Sequence, residues 1–268
     1  MKLRIVPARR GVVWVRNGFA LFFAHPLAFT LLFSSFLFGM LLLVLLPWVG
    51  SPLLLMALPL VSLGFMIAGQ RARRGLGSSV KVFIEPLRQA GPRRTALLQL
   101  AGAYAVATAL VMLLSSAVDG GSFDALQEAL MAEHIDPQSV AARLGDTRLL
   151  AGISLRLALA GLLALPFWHA PALVHWGGLG FAKSLFFSSV ACWRNGRAFL
   201  TYGLCWVVLM ALFSVLMHLV AGLLGEPRLV VMAAMPAGLL FSTVFYVSLY
   251  DTFADSFEAP PEGGLESA

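Results

Sequence analysis

Six stretches of about 20 mostly apolar residues divide this chain, each long enough to cross the roughly 30 Å hydrocarbon core of a bilayer as a helix. They cover about 27–46, 53–69, 96–117, 149–167, 199–224 and 229–250. The first, LAFTLLFSSFLFGMLLLVLL, carries no charge and stops at Pro47-Trp48, before a tight turn at Gly50-Ser51-Pro52. Its length and the lack of a small-x-small cleavage site make it an uncleaved anchor rather than a signal peptide. Within lipid every backbone polar group must be satisfied inside the segment, so such spans are helices. The fold class is therefore all-α, a polytopic membrane protein with six transmembrane helices.

Composition points the same way. Of the 268 residues, 59% are hydrophobic and 12% charged, against about 45–50% and about 25% in an ordinary soluble domain. A soluble chain built like this would leave large apolar patches facing water. A water-soluble enzyme, a nucleic-acid-binding domain and a disordered chain are all poor readings. The formal net charge of +6 has another use. Fifteen of the nineteen lysines and arginines lie before the first span, between the second and third, and between the fourth and fifth. By the positive-inside rule this places both termini in the cytoplasm and calls for no nucleic acid.

The fourth span is the least clean. Leu149 to Phe167 is apolar except for Arg156, and the apolar character continues as Trp168-His169-Ala170-Pro171 toward His175-Trp176. Pro166 and Pro171 discourage one continuous helix, so the span ends near Phe167; the alternative starts near Leu157 and runs to Trp176. Two further stretches read as interfacial amphipathic helices on the cytoplasmic side. In Arg9 to Ala24, Arg10 and Asn17 interleave with Trp14, Phe19 and Phe22 before His25-Pro26. In Phe181 to Trp193, Ala182, Phe186, Val190 and Trp193 share one face, and Ser184, Ser188 and Asn195 another. The acidic loop Val118 to Arg148 has room for a short helix near Phe123 to His134. Residues 1–253 thus form one membrane domain, and 254–268, with Pro260-Pro261 and Gly263-Gly264, a disordered cytoplasmic tail. The stretch from Phe23 to Phe29 is echoed by Trp193 to Phe199, each feeding a spanning hairpin; this is either a direct duplication or a recurrence of common interface residues.

The motifs Pro7-Ala8-Arg9-Arg10-Gly11 and Phe22-Phe23-Ala24-His25-Pro26, with the Pro166 to Asn195 segment, resemble those of uncharacterised polytopic inner-membrane proteins of Gram-negative bacteria. Ala170-Pro171 and Ser188 to Asn195 are loosely similar to the YciC-like set, in which an interfacial helix ending in Asn precedes a span. The resemblance implies the fold and an inner-membrane location, and no activity or ligand.

Among the polar groups Arg156 stands out, because an ionisable side chain within a span costs about 2.5–3.5 kcal/mol at the centre and needs a partner or water. It lies roughly 10 Å into the span, close enough to snorkel outward to Asp119 or Asp146. The other reading makes it a substrate or anion contact in an outward-facing polar cavity. Gln99 and His218 are expected to hydrogen-bond neighbouring helices. The small-residue stripes Ala101, Ala105, Ala109 and Ala234, Gly238 are expected to be close-packing surfaces rather than a pore lining. His169 and His175 fit an aromatic girdle better than a metal site. Cys192 and Cys205, roughly 20 Å apart along a continuous helix, are too distant for a disulfide. No catalytic constellation, cofactor motif or metal pattern occurs, so the chain reads as non-enzymatic. The leading expectation is lipid or partner-protein interaction or membrane organisation. Anionic headgroups would lie at the cytoplasmic face, and a membrane-protein partner or a homo-oligomer is compatible with it. The alternative is a small transporter or permease subunit with Arg156 and the Pro166–Pro171 break lining its path; a membrane-embedded enzyme acting on lipids is third.

Overall fold

The structure, a computed structural model, describes residues 1–88, 90–131, 137–226 and 228–258. Among these the chain runs through α1 (Arg10–Ala24), α2 (Pro26–Val44), α3 (Gly50–Arg73), α4 (Glu85–Arg88), α5 (Pro92–Asp119) and α6 (Ser122–Met131). It continues through α7 (Pro137–Leu144), α8 (Thr147–Phe167), α9 (Ala170–Gly177), α10 (Phe181–Arg194), α11 (Gly196–Leu224) and α12 (Arg228–Ser256). Six helical segments are long and apolar enough to cross a membrane: α2, α3, α5, α8 running on into α9, α11 and α12. The six expected spans are therefore present, each a few residues from its expected ends. Pro26 and Pro92 open α2 and α5 from their first turns, where a missing N–H costs nothing. Gly120 and Gly225 close α5 and α11 in the left-handed conformation that glycine adopts without strain.

The spans form three hairpins, α2–α3, α5–α8 and α11–α12, that meet at the end of the bundle carrying the N-terminal segment and the end of α12. Many enclosed side chains lie there: Phe29 and Leu32 of α2, Leu63 and Phe65 of α3, Leu97 and Leu100 of α5, and Val244 and Val247 of α12. Toward the other end the same helices expose Leu41, Leu113, Leu216 and Met232. With lipid as the solvent, exposed leucine and methionine there carry no hydrophobic penalty, so the hairpins need only pack where small and aromatic residues fit.

The N-terminal segment and α1 are part of that packed end. Trp14 is fully enclosed, and its indole Nε1 donates to Asp255 Oδ2 (2.6 Å), which also accepts from Arg10 Nε (2.6 Å). At Gly18 any Cβ would run into Ser248 of α12, so the close approach of the two helices requires glycine there. Leu3 and Phe257 form an antiparallel bridge, with Arg4 N–H donating to the Ser256 carbonyl (2.9 Å) and Glu258 N–H to the Lys2 carbonyl (3.0 Å). This bridge corrects the start of the expected tail: α12 continues through Ala254 to Ser256, with Phe257 buried, because Asp255 and Phe257 hold partners on the N-terminal segment. Residues 259–268, the rest of that tail, lie outside the described residues, as does His134 of the expected loop helix, whose described part is α6.

Helix α10 is amphipathic in an inverted sense. Its Ser184, Ser188, Ala191 and Cys192 face the bundle, whereas Phe186 and Trp193 point out, Trp193 at 79% exposure. Ser188 faces inward because the α8–α9 break needs it. There the His169 N–H, denied its usual helical acceptor, donates to Ser188 Oγ (3.0 Å), and that hydroxyl donates to the Leu165 carbonyl (2.8 Å). One hydroxyl thus stands in for one backbone hydrogen bond, as helix breaks at membrane depth require. Ser188→Ala leaves both buried groups unpaired, at about 1–3 kcal/mol each. We expect a lower thermal-unfolding midpoint for it and near-native behaviour for Ser188→Thr. As for the suspected repeat, α1 and α10 each precede a hairpin, but their seats differ. Helix α1 packs on α11 and α12, while α10 packs on α8 and α9.

Candidate functional site

Arg156 sits on α8 facing the end of α5. Its Nε donates to Ser115 Oγ (3.0 Å), Nη2 lies 3.8 Å from Asp119 Oδ2, and the guanidinium stacks 4.1 Å from the centroid of the Phe123 ring. Asp119 is 2% exposed and also accepts from Gly121 N–H (2.8 Å). Its carboxylate fits there because Gly152 of α8 has no side chain: a Cβ would meet Asp119 Cβ at 2.5 Å. Nearby, Asp146 caps α8 by accepting from Arg148 N–H (2.9 Å) and Ser122 Oγ–H (2.7 Å). These bonds hold its carboxyl below the usual range. Of the two acids offered as partners of Arg156, the structure brings Asp119 to it and leaves Asp146 to the helix cap.

Two other expected contacts do not form. Gln99 is exposed on α5 and makes no hydrogen bond among the described residues, because its position faces away from α3 and α8. His218 is exposed near the end of α11, its Nδ1 2.8 Å from the Ser214 carbonyl of its own helix. Pro166 lies in the last turn of α8 and Pro171 in the buried first turn of α9, so the break falls at Trp168–His169. His169 is fully enclosed among the rings of Phe199, Phe253 and Phe257, with neither ring nitrogen hydrogen-bonded. Both cysteines are free, and burial pushes the Cys192 thiol up to about 12.

One opening in the bundle left no sign in the sequence. Between α8 on one side and α11 and α12 on the other lies a partly open cavity of about 590 Å³ with an almost wholly apolar wall. Its walls include Gly161 and Ala164 of α8, Gly203 and Trp206 of α11, and Gly238 and Phe245 of α12. The three glycines come from three helices, and a Cβ built on any of them would meet nothing within 4 Å. Small residues here create space instead of closing it. Gly238 and Ala234, expected as a packing stripe, are both exposed, because α8 does not close against α12 at this level. Ala101 of the other stripe is fully buried, and that stripe opens toward Ala109. Arg156, Pro166 and Pro171 do not line the cavity.

Apolar spans of this length, an arginine–aspartate pair held between two of them and a partly open apolar cavity define a polytopic α-helical membrane protein. Over 264 residues the chain is 35% identical to a protein of Burkholderia thailandensis named probable inner membrane protein BTH_II0599, covering 98% of this chain and 96% of that one. The chain belongs to that family of inner-membrane proteins, as the N-terminal and Pro166 to Asn195 motifs implied. No protein-family model and no solved structure matches the chain.

Proposed function

We propose that this inner-membrane protein acts without catalysing a reaction, by taking lipid-soluble molecules from the bilayer into the space between its hairpins. The observation that carries this reading is the cavity of about 590 Å³, glycine-walled and apolar. Its volume falls in the roughly 300–1,000 Å³ range of ligand sites. In this reading both termini are cytoplasmic. Helices α1 and α10 then lie in the inner interface, where the outward Phe186 and Trp193 enter the lipid beside Lys183 and Arg194. Basic side chains at that face attract anionic headgroups at about 1 kcal/mol per charge near the surface. The permease alternative has less support, since Arg156 is engaged by Asp119 and Ser115 and shares no opening with the Pro166–Pro171 break.

Native mass spectrometry of the full chain, released gently from detergent, tests the proposal. The expected result is retained phospholipid or other lipid on the wild-type protein, lost when Gly203→Leu and Gly238→Leu fill the cavity. Bare wild-type protein, or adducts that both variants keep, would sink it.

A further inference from the structure

Helix α11 gives Gly203, Trp206 and Met210 to the large cavity, and its opposite face borders a second opening. A groove of about 420 Å³ runs there between α1 and α11, lined by Val12, Arg16 and Phe19 of α1 and by Leu204, Cys205 and Val208 of α11. At its head α1 touches α11 directly, since Gly11 lies against the Ala198 carbonyl and Thr201. Thr201 and Leu209 mark the two ends of the groove along α11. Counted at 1.5 Å per residue from Phe199, where the apolar run begins, they lie roughly 3 Å and roughly 15 Å in. The groove therefore covers the depth of one leaflet, half of a hydrocarbon core about 30 Å thick.

Charge separates this groove from an ordinary apolar seam. Arg16 is on its wall, and Arg9 and Arg197 continue the same two stripes toward the helix starts, at i−7 from Arg16 and i−4 from Thr201. The Cα–Cβ bond of Arg16 tilts toward the start of α1, the end at which the other two stand. None of the three has a hydrogen bond or ion pair among the described residues. The helical acids at this end of the bundle are engaged elsewhere: Asp255 by Arg10 and Trp14, Asp251 by Arg73, and Glu85 by Arg71. An arginine whose stem lies along apolar side chains needs an anion or water at its head. The ligand that complements the site carries net negative charge at the membrane surface and an apolar chain one leaflet long. Guanidinium groups match the oxygens of a phosphate, and basic pockets between spans take lipid headgroups.

We propose that the α1–α11 groove binds an anionic phospholipid of the leaflet at this end, its phosphate among Arg9, Arg16 and Arg197 and an acyl chain along Phe19, Leu204 and Val208. The site is separate from the cavity between the hairpins and does not rest on what that cavity holds. Val12, Leu204 and Val208 are each about half exposed, so the groove opens to the bilayer along its length. Detergent therefore replaces its lipid during purification, and the lipid has to be returned before occupancy can be read.

Cys205, a free thiol on the groove wall, supplies the readout. Alkylation of Cys205 by N-ethylmaleimide is followed by peptide mass spectrometry on the detergent-solubilised full chain. Dioleoylphosphatidylglycerol or dioleoylphosphatidylcholine, which share their acyl chains, is titrated in. Saturable protection is expected from phosphatidylglycerol at concentrations about tenfold below those that phosphatidylcholine requires, the effect of one charge-assisted hydrogen bond. Arg16→Gln and Arg197→Gln each remove most of that preference. Neither side chain has a protein partner among the described residues, so the thermal midpoints of both variants without lipid should match the wild type. Arg94→Gln takes an exposed charge from α5, which packs on α3 and α8, and should keep the preference, as should Gly238→Leu in the other cavity. Equal protection by the two lipids, or a preference that survives Arg16→Gln and Arg197→Gln together, overturns the proposal. A preference lost in Gly238→Leu also overturns it, by placing the lipid between the hairpins instead.

Discussion

Arg156→Leu is expected to lower the thermal-unfolding midpoint of the purified protein by roughly 6–12 °C, whereas the double variant Arg156→Leu/Asp119→Leu recovers most of the loss. The asymmetry follows from burial. Asp119 is 2% exposed, and removing its partner strands a charge where water cannot reach it, at about 3 kcal/mol or more. A shift of about 2–4 °C per kcal/mol holds for chains of this order of size. Removing both charges leaves two apolar residues at the Gly152 contact, an exchange that is often neutral or stabilising. Arg156→Lys should fall between, since an ammonium keeps the charge but not the planar contact with Phe123 or the Nε bond to Ser115. The measurement is a thermal scan at one fixed rate for all four proteins, because membrane proteins often unfold irreversibly. A double variant as unstable as the single one would show that Arg156 acts through something other than Asp119.

The contrast between this pair and the cavity shows what the amino-acid sequence makes legible. Spans are written locally: a run of about 20 apolar residues announces its helix whatever surrounds it, so all six were found. The Phe167 end of α8 was readable for the same reason, since Pro166 and Pro171 act on their own backbone. Arg156 was visible as an exception to its span, and its reach suggested two acids, of which packing selects one. The cavity left no such mark. Gly161, Gly203 and Gly238 are distant in sequence, and a glycine in a span signals close packing as readily as a void. Only the failure of α8 to close on α12 decides between them. The inverted face of α10 was misleading for a related reason, because its Ser188 serves a backbone break on another helix. Asp255 looked like part of a polar tail until its partners, Arg10 and Trp14, were placed beside it from the far end of the chain.

Asn195→Leu is expected to release the N-terminal segment from the bundle. The Asn195 side chain is 1% exposed. Its Oδ1 accepts from Val6 N–H (2.9 Å), and its Nδ2 donates to the Arg4 carbonyl (3.0 Å) and, more distantly, to Ser256 Oγ (3.4 Å). One amide thus ties the α10–α11 junction to residues 4–6 and to the end of α12, doing for this segment what a neighbouring strand would do. Leucine supplies neither donor nor acceptor, so two backbone groups lose their partners at about 1–3 kcal/mol each. The bridge between Leu3 and Phe257 then has to hold alone, and a single bridge outside any sheet is weak. The amides of Arg4 and Glu258, which donate to Ser256 and Lys2, should exchange with deuterium at least tenfold faster, while those in the middle of α5 stay unchanged. Asn195→Asp separates the two halves of the interaction. It keeps an acceptor for Val6 but sets a second oxygen against the Arg4 carbonyl, so it should accelerate Arg4 exchange while the hydrogen bond from Val6 survives. Unchanged exchange at Arg4 and Glu258 in Asn195→Leu would mean that the Leu3–Phe257 bridge and the Asp255 contacts hold the termini without the asparagine.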